Sequence, residues 1–289
     1  MERQTILERE RRWARPAAVA AIVAAPLYLL SITFDRGSDV PPTALETDRY
    51  REIDAAGGEV FAAAGVRAIA YLCLAAALLY LFRATQARSD RVSGVMVGFA
   101  FIGPVLLAVQ GLVAVVARRG IASDFVAQAG AGGDVYTLLR DLIDDSTAHS
   151  MALSMLFPAI LGMLIAMVYI SLQAMRVGLL TRFLGTLGMA LGASLILVPF
   201  GMALLLIALW FLWLGLLFLD RTPGPRPPAW AAGVAIPWPR PGEGPAEPEE
   251  EATDDGLFGG AEAEASGNGA GDHSGRRERA RRRKRKRRR

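Results

Sequence analysis

Residues 183–219 read FLGTLGMALGASLILVPFGMALLLIALWFLWLGLLFL, 37 positions without a charged side chain. As one helix this stretch would be roughly 55 Å long at about 1.5 Å per residue, nearly twice the ~30 Å hydrocarbon core of a bilayer. Pro199, Phe200 and Gly201 lie near its middle, where a proline without a backbone donor and a permissive glycine favour a tight turn. The stretch therefore predicts two short helices of about 16 to 18 residues joined by a hairpin. The competing reading is one long tilted helix that leaves on the far side of the membrane.

Outward from this stretch, four more apolar runs of membrane length appear: Ala17 to Phe34, about Val60 to Phe82, Val92 to Ala117, and His149 to Met175. Lipid offers no partner to an unpaired amide, so a run of about 20 apolar residues must cross as a helix. No small-residue cleavage site follows the first run, which reads as a retained anchor. The fold class is all-α: a polytopic transmembrane bundle of about six spans with a disordered C-terminal tail. Its parts are a basic head at 1–16, the bundle at 17–221 and the tail at 222–289.

Cytoplasmic loops accumulate Lys and Arg. The short loops carry Arg83, Arg88 and Arg91, and Arg176 and Arg182, whereas Asp35 to Glu59 holds seven acids against three arginines and Arg118 to Ala148 five against three. The acidic loops are thus assigned outside, and six spans return both termini to the cytoplasmic face of the cell membrane.

The chain is 53% hydrophobic with a mean hydropathy of +0.32, yet holds 32 Lys and Arg, so apolar and charged residues must be segregated. Arg276 to Arg289 alone carries 12 basic residues against Glu278, in a chain whose net charge is +4. A Pro-rich spacer, Thr222 to Pro248, and an acidic block from Glu243 to Glu264 precede it; such blocks are disordered and serve as interaction arms. Besides the lipid bilayer, the partners this predicts are anionic lipid or nucleic acid, bound by phosphate and without sequence preference, because no aromatics are interleaved. Self-pairing with the acidic block competes with both.

Within the spans, Gly94 and Gly98, and Gly188 and Gly192, form small-xxx-small pairs suited to close helix packing, inside one chain or in a homo-oligomer. Arg67 is the one clear intramembrane charge; a translocation path would use it, while a long stem lets it snorkel outward or pair with Asp54 or Glu59. Asp134 is placed to cap a helix with Val135, Leu138, Leu139 and Leu142 on one face. If that helix continued into the next span, Asp141, Asp145 and His149 would stack at i, i+4 and i+8, a spacing that suits a divalent cation or a proton relay; acids solvated at a helix start are the plainer reading. Arg67, Asp141, Asp145 and His149 are the candidate polar site. No catalytic residue, cofactor or metal set is predicted, since no nucleophile elbow, zinc helix or phosphate loop occurs. The lone Cys73, in an apolar run, reads as a small buried hydrophobe.

Ala174, Arg176, Gly178, Thr181, Arg182 and Gly185, set in this span pattern, resemble uncharacterised multi-pass membrane proteins of bacteria with Ala- and Arg-rich proteomes. The resemblance covers roughly Arg9 to Arg221 and implies no catalytic residue. The expected function is a non-enzymatic anchor or sensor whose tail touches anionic partners; the alternative is a small-solute transporter or channel.

Overall fold

Because a helix satisfies its own backbone, apolar runs of this length fold as helices, and the computed structural model is all-helical among the residues it describes, 2–34, 45–130, 133–197 and 202–238. In chain order these are α1 (Glu2–Thr33), α2 (Glu46–Ala56), α3 (Glu59–Gln86), α4 (Met96–Gln128), α5 (Val135–Asp145), α6 (Thr147–Arg176), α7 (Arg182–Ser194), a 3-10 turn (Leu195–Leu197), α8 (Met202–Phe218) and the short α9 (Ala229–Ala232). Helices α1, α3, α4 and α6 are long and apolar enough to cross a membrane. The predicted pair at the end of the apolar region is present as α7 and α8, of 13 and 17 residues. Pro199, Phe200 and Gly201, to which the hairpin was assigned, lie outside the described residues.

The six apolar helices close on themselves: α1 packs on α3, α3 on α4, α4 on α6, α6 on α7, α7 on α8, and α8 back on α1. Leu78, Leu81, Phe82, Met163, Met167, Ile170, Phe211 and Leu214 fill the inside, each at most 2% exposed. Large apolar side chains also face outward, among them Phe157 at 72% exposed and Ile102 at 59%, a distribution that suits lipid and would aggregate in water. Small residues allow the closest approaches. A Cβ on Gly103 of α4 would lie 2.6 Å from the Met163 nitrogen of α6, and Gly162 faces it across the crossing.

The structure departs from the sequence reading in several places. The basic head is helical: α1 runs unbroken from Glu2 through Pro16 and Pro26, because the apolar turns below template the charged ones above. α4 continues past Arg118 and Arg119 to Gln128, so the loop assigned to 118–148 starts as helix. Gly94 precedes α4, and a Cβ at Gly98 would meet only Ile102 of its own helix. Gly188 and Gly192, by contrast, press α7 onto the rest of the chain: added Cβ atoms would meet Ser171 and Trp210, and Met167 and Val168. That face is occupied within one chain, the first of the two uses the spacing allows.

Beyond the bundle's acidic end a second, smaller core forms. Tyr50 and Ile53 of α2, Val60 and Ala64 of α3, Val115, Ile121, Ala122 and Phe125 of α4, and Leu139 of α5 bury one another. Val135, Leu138 and Leu142 pack against it, the face expected for α5. Asp54 of α2 pairs with Arg119 of α4, tying this cap to the bundle.

The chain divides into a helical unit, Met1–Pro241, and a second unit, Gly242–Arg289. The acidic block, the Arg276 to Arg289 cluster and the disorder expected of both lie outside the described residues.

Candidate functional site

The first half of the Pro-rich segment is not a free spacer. Residues 222–238 fold onto the basic end of the bundle as a strap, with Ala229 and Trp230 buried. The anchor point is the turn between α6 and α7. Gly178 ends α6 with φ of 78°, Leu179 N–H donates to the Ala174 carbonyl at 2.8 Å and Gly178 N–H to Met175 at 3.1 Å, the paired pattern of a left-handed helix stop. Thr181 then caps α7 by accepting from Leu184 N–H at 3.2 Å.

Carbonyls in such a turn lack helical partners, and three tryptophans supply donors to this region. Trp230 Nε1–H reaches Leu179 O at 2.9 Å, Trp238 reaches Leu180 O at 2.8 Å, and Trp210 of α8 reaches Leu184 O at 3.0 Å. Ile236 N–H adds a bond to Val177 O at 3.1 Å.

Beneath the strap sits a charged cluster that the bundle surrounds. Arg88, just beyond α3, faces Glu10 of α1 in a two-pronged ion pair, with Nη2 2.9 Å from Oε2 and Nη1 on Oε1. Its Nη1 also donates to Ala84 O at 2.8 Å and its Nε to Ala229 O of the strap at 3.1 Å. The Arg88 side chain is 0% exposed and that of Glu10 11%. Tyr80 donates its hydroxyl to Glu10 O at 3.3 Å and stacks at 6.0 Å on Trp230. Arg226 lies 4.8 Å from the same indole and Arg88 5.6 Å, distances at which cations and ring faces attract.

Alongside this cluster α1 and α3 border a groove of about 620 Å³. Its rim carries Arg9, Trp13 and Arg83, and its floor includes Pro16, Ala17, Ala76 and Leu79.

The helix expected to carry Asp141, Asp145 and His149 in one run is interrupted. Ser146 is extended between two helices, ending α5 and capping α6 by accepting from His149 N–H at 3.2 Å. Asp141 and Asp145 therefore sit on one helix and His149 on another, and the continuous i, i+4, i+8 stack does not form. Among the described residues no group of three or more His, Cys, Asp or Glu side chains is placed to hold a metal. Arg67 Nε–H donates to Ser31 Oγ of α1 at 3.2 Å, and the Ser31 hydroxyl in turn donates to Tyr28 O at 2.6 Å. The nearby recess, of about 10 Å³, is lined by Ile53, Val60, Arg67, Val115 and Arg118 among others, but by neither aspartate nor by His149. Asp134 caps α5 as expected, accepting from Tyr136 N–H at 3.2 Å and Thr137 Oγ1–H at 2.7 Å. The Thr137 bond, with help from the Tyr136 amide, holds its carboxyl below the ordinary carboxylate value. Burial, reinforced by Glu46 and opposed by Arg118, pushes the Tyr50 phenol up.

Comparison with family models, with curated proteins and with solved structures finds no match.

Proposed function

We propose that this protein is a non-enzymatic membrane anchor: a six-span bundle with both termini at the cytoplasmic face, which presents its polybasic C-terminus to anionic partners. The observation that carries this reading is the strap. Residues 222–238 are pinned by Trp230, Trp238, Ile236 and Arg88, so the chain leading to Arg276 departs from a fixed point on the basic end. A presenting device needs such an attachment, because a tethered arm acts at a local concentration set by its anchorage and length.

The transporter reading asks Arg67, Asp141, Asp145 and His149 to share a cavity. Their separate placement favours the anchor.

The test uses the full chain and a chain ending at Gly275, each in neutral phosphatidylcholine nanodiscs, challenged with vesicles containing phosphatidylglycerol and with duplex DNA. The full chain captures anionic vesicles at low salt and releases them as the Debye length falls from about 10 Å at 0.1 M to about 3 Å at 1 M. The shortened chain captures far fewer. Equal capture by the two chains, or none by either, rejects the reading; capture of DNA alone moves the partner from lipid to nucleic acid.

A further inference from the structure

We propose that the groove between α1 and α3 is a binding site for one anionic phospholipid, drawn from the leaflet at the basic end of the bundle. This rests on the chain spanning a membrane and is independent of what the tail binds.

Charge complementarity and position argue for that occupant. Arg9 and Arg83 stand at the rim from the two helices, both exposed, and neither has an ion-pair partner among the described residues. The acid in the lining, Glu10, is neutralised by Arg88, which leaves the rim cationic toward a phosphate. Trp13, 56% exposed, sits beside them at the level where the apolar part of α1 begins, and amphipathic indoles favour the headgroup boundary. Arg9 and Ala17 are separated by about two turns of helix, roughly 12 Å, as are Arg83 and Ala76 in α3. The groove therefore grades, along one direction, from guanidinium at the water boundary to small aliphatic side chains in the hydrocarbon. An anionic headgroup followed by an acyl chain has that same gradient. The volume of about 620 Å³ suits a headgroup and the upper part of a chain, within the usual range of ligand sites. The alternative anion, the acidic block of the chain's own tail, brings many carboxylates but only Leu257 and Phe258 as large apolar side chains for the floor.

Photo-crosslinking tests the assignment. The full chain is reconstituted in phosphatidylcholine vesicles doped with a phosphatidylglycerol probe carrying a photoreactive acyl chain, or with the matching phosphatidylcholine probe, and adducts are mapped by peptide mass spectrometry. The expected result is enrichment of the phosphatidylglycerol probe on 9–17 and 76–87, lost on competition with unlabelled phosphatidylglycerol. Arg9→Gln and Arg83→Gln should each lower that labelling about fivefold. Both side chains are exposed, so the variants keep the fold, and an unchanged melting curve verifies it. Equal labelling by the two probes, adducts spread evenly over the lipid-facing helices, or labelling insensitive to both substitutions overturns the proposal. Adducts confined to the tail overturn it too while leaving the anchor reading intact, and labelling that rises when Glu247–Asp255 is deleted assigns the groove to the acidic block instead.

Discussion

Glu10 and Arg88, 78 positions apart, meet in a buried two-pronged ion pair that joins the start of the first helix to the end of the third. A buried pair contributes little by itself, but a single partner left behind is an uncompensated charge. Arg88→Gln should therefore destabilise the bundle by about 3–5 kcal/mol, with Glu10→Gln costing less. The double variant Glu10→Gln/Arg88→Gln removes both charges and should recover part of the loss. Thermal unfolding in detergent across the four proteins checks this; strictly additive losses would contradict it.

Gly178→Ala attacks the strap without touching the spans. An added Cβ would lie 2.0 Å from the Ile236 carbonyl oxygen, at a backbone φ of 78° that costs a non-glycine residue about 1–2 kcal/mol. Trypsin should then cut after Arg221 several times faster, the Arg226–Pro227 bond being resistant, with the bundle's melting temperature shifted much less than in the Arg88 variant.

Trp230→Ala deletes the indole that Leu179, Tyr80, Phe218, Arg88 and Arg226 all contact. Truncation of a buried aromatic costs about 3–5 kcal/mol. Hydrogen exchange at residues 177–184 and 229–236 should accelerate together, because each segment supplies the other's partners.

The cap at the opposite end should respond to pH in two directions. Asp134 has its carboxyl depressed below the ordinary 3.8, so its support of α5 is complete above that value and is lost as pH falls through the lower folded value. Tyr50 has its phenol raised above 10.0, so the neutral form it buries is secure below that pH and is lost as pH rises through the higher folded value. Asp134→Ala should abolish the acid-side change in exchange at Tyr136 and Thr137, and Tyr50→Phe the alkaline one.

Reporter fusions after Arg88, Arg182 and Trp238 should report cytoplasm, and those after Asp48 and Gly130 the exterior. An exterior signal after Trp238 would leave an odd number of crossings.

The four membrane-length helices were legible because hydrocarbon imposes one requirement, length of apolar helix, that composition alone displays. The stop at Gly178 and the cap at Thr181 were visible as residues, yet nothing local revealed what would lie on them. Glu10 was hidden among the arginines of the head, since a charge count assigns it to the flank and only the folded chain brings Arg88 beside it. The strap was misread through its prolines. Trp230 and Trp238 were the available signal: indoles in an otherwise extended, polar stretch have large apolar surfaces to cover. The continuous helix through Asp141 and His149 was lost at one residue, Ser146, whose hydroxyl caps the following helix better than its backbone continues the preceding one.

The three indole donors on 179–184 also impose an order on biosynthesis. Leu179 and Leu180 leave the ribosome well before Trp230 and Trp238, the groups that satisfy them, and Leu184 well before Trp210, which adds a second donor to a carbonyl inside α7. Until that later stretch emerges, the turn waits half-built, with the Leu179 and Leu180 carbonyls short of partners and the Arg88 guanidinium short of Ala229. A chain terminated early, within or before the strap, would insert its helices and still lack the lock, and a protease patrolling the membrane could tell it from a finished molecule by that open turn alone.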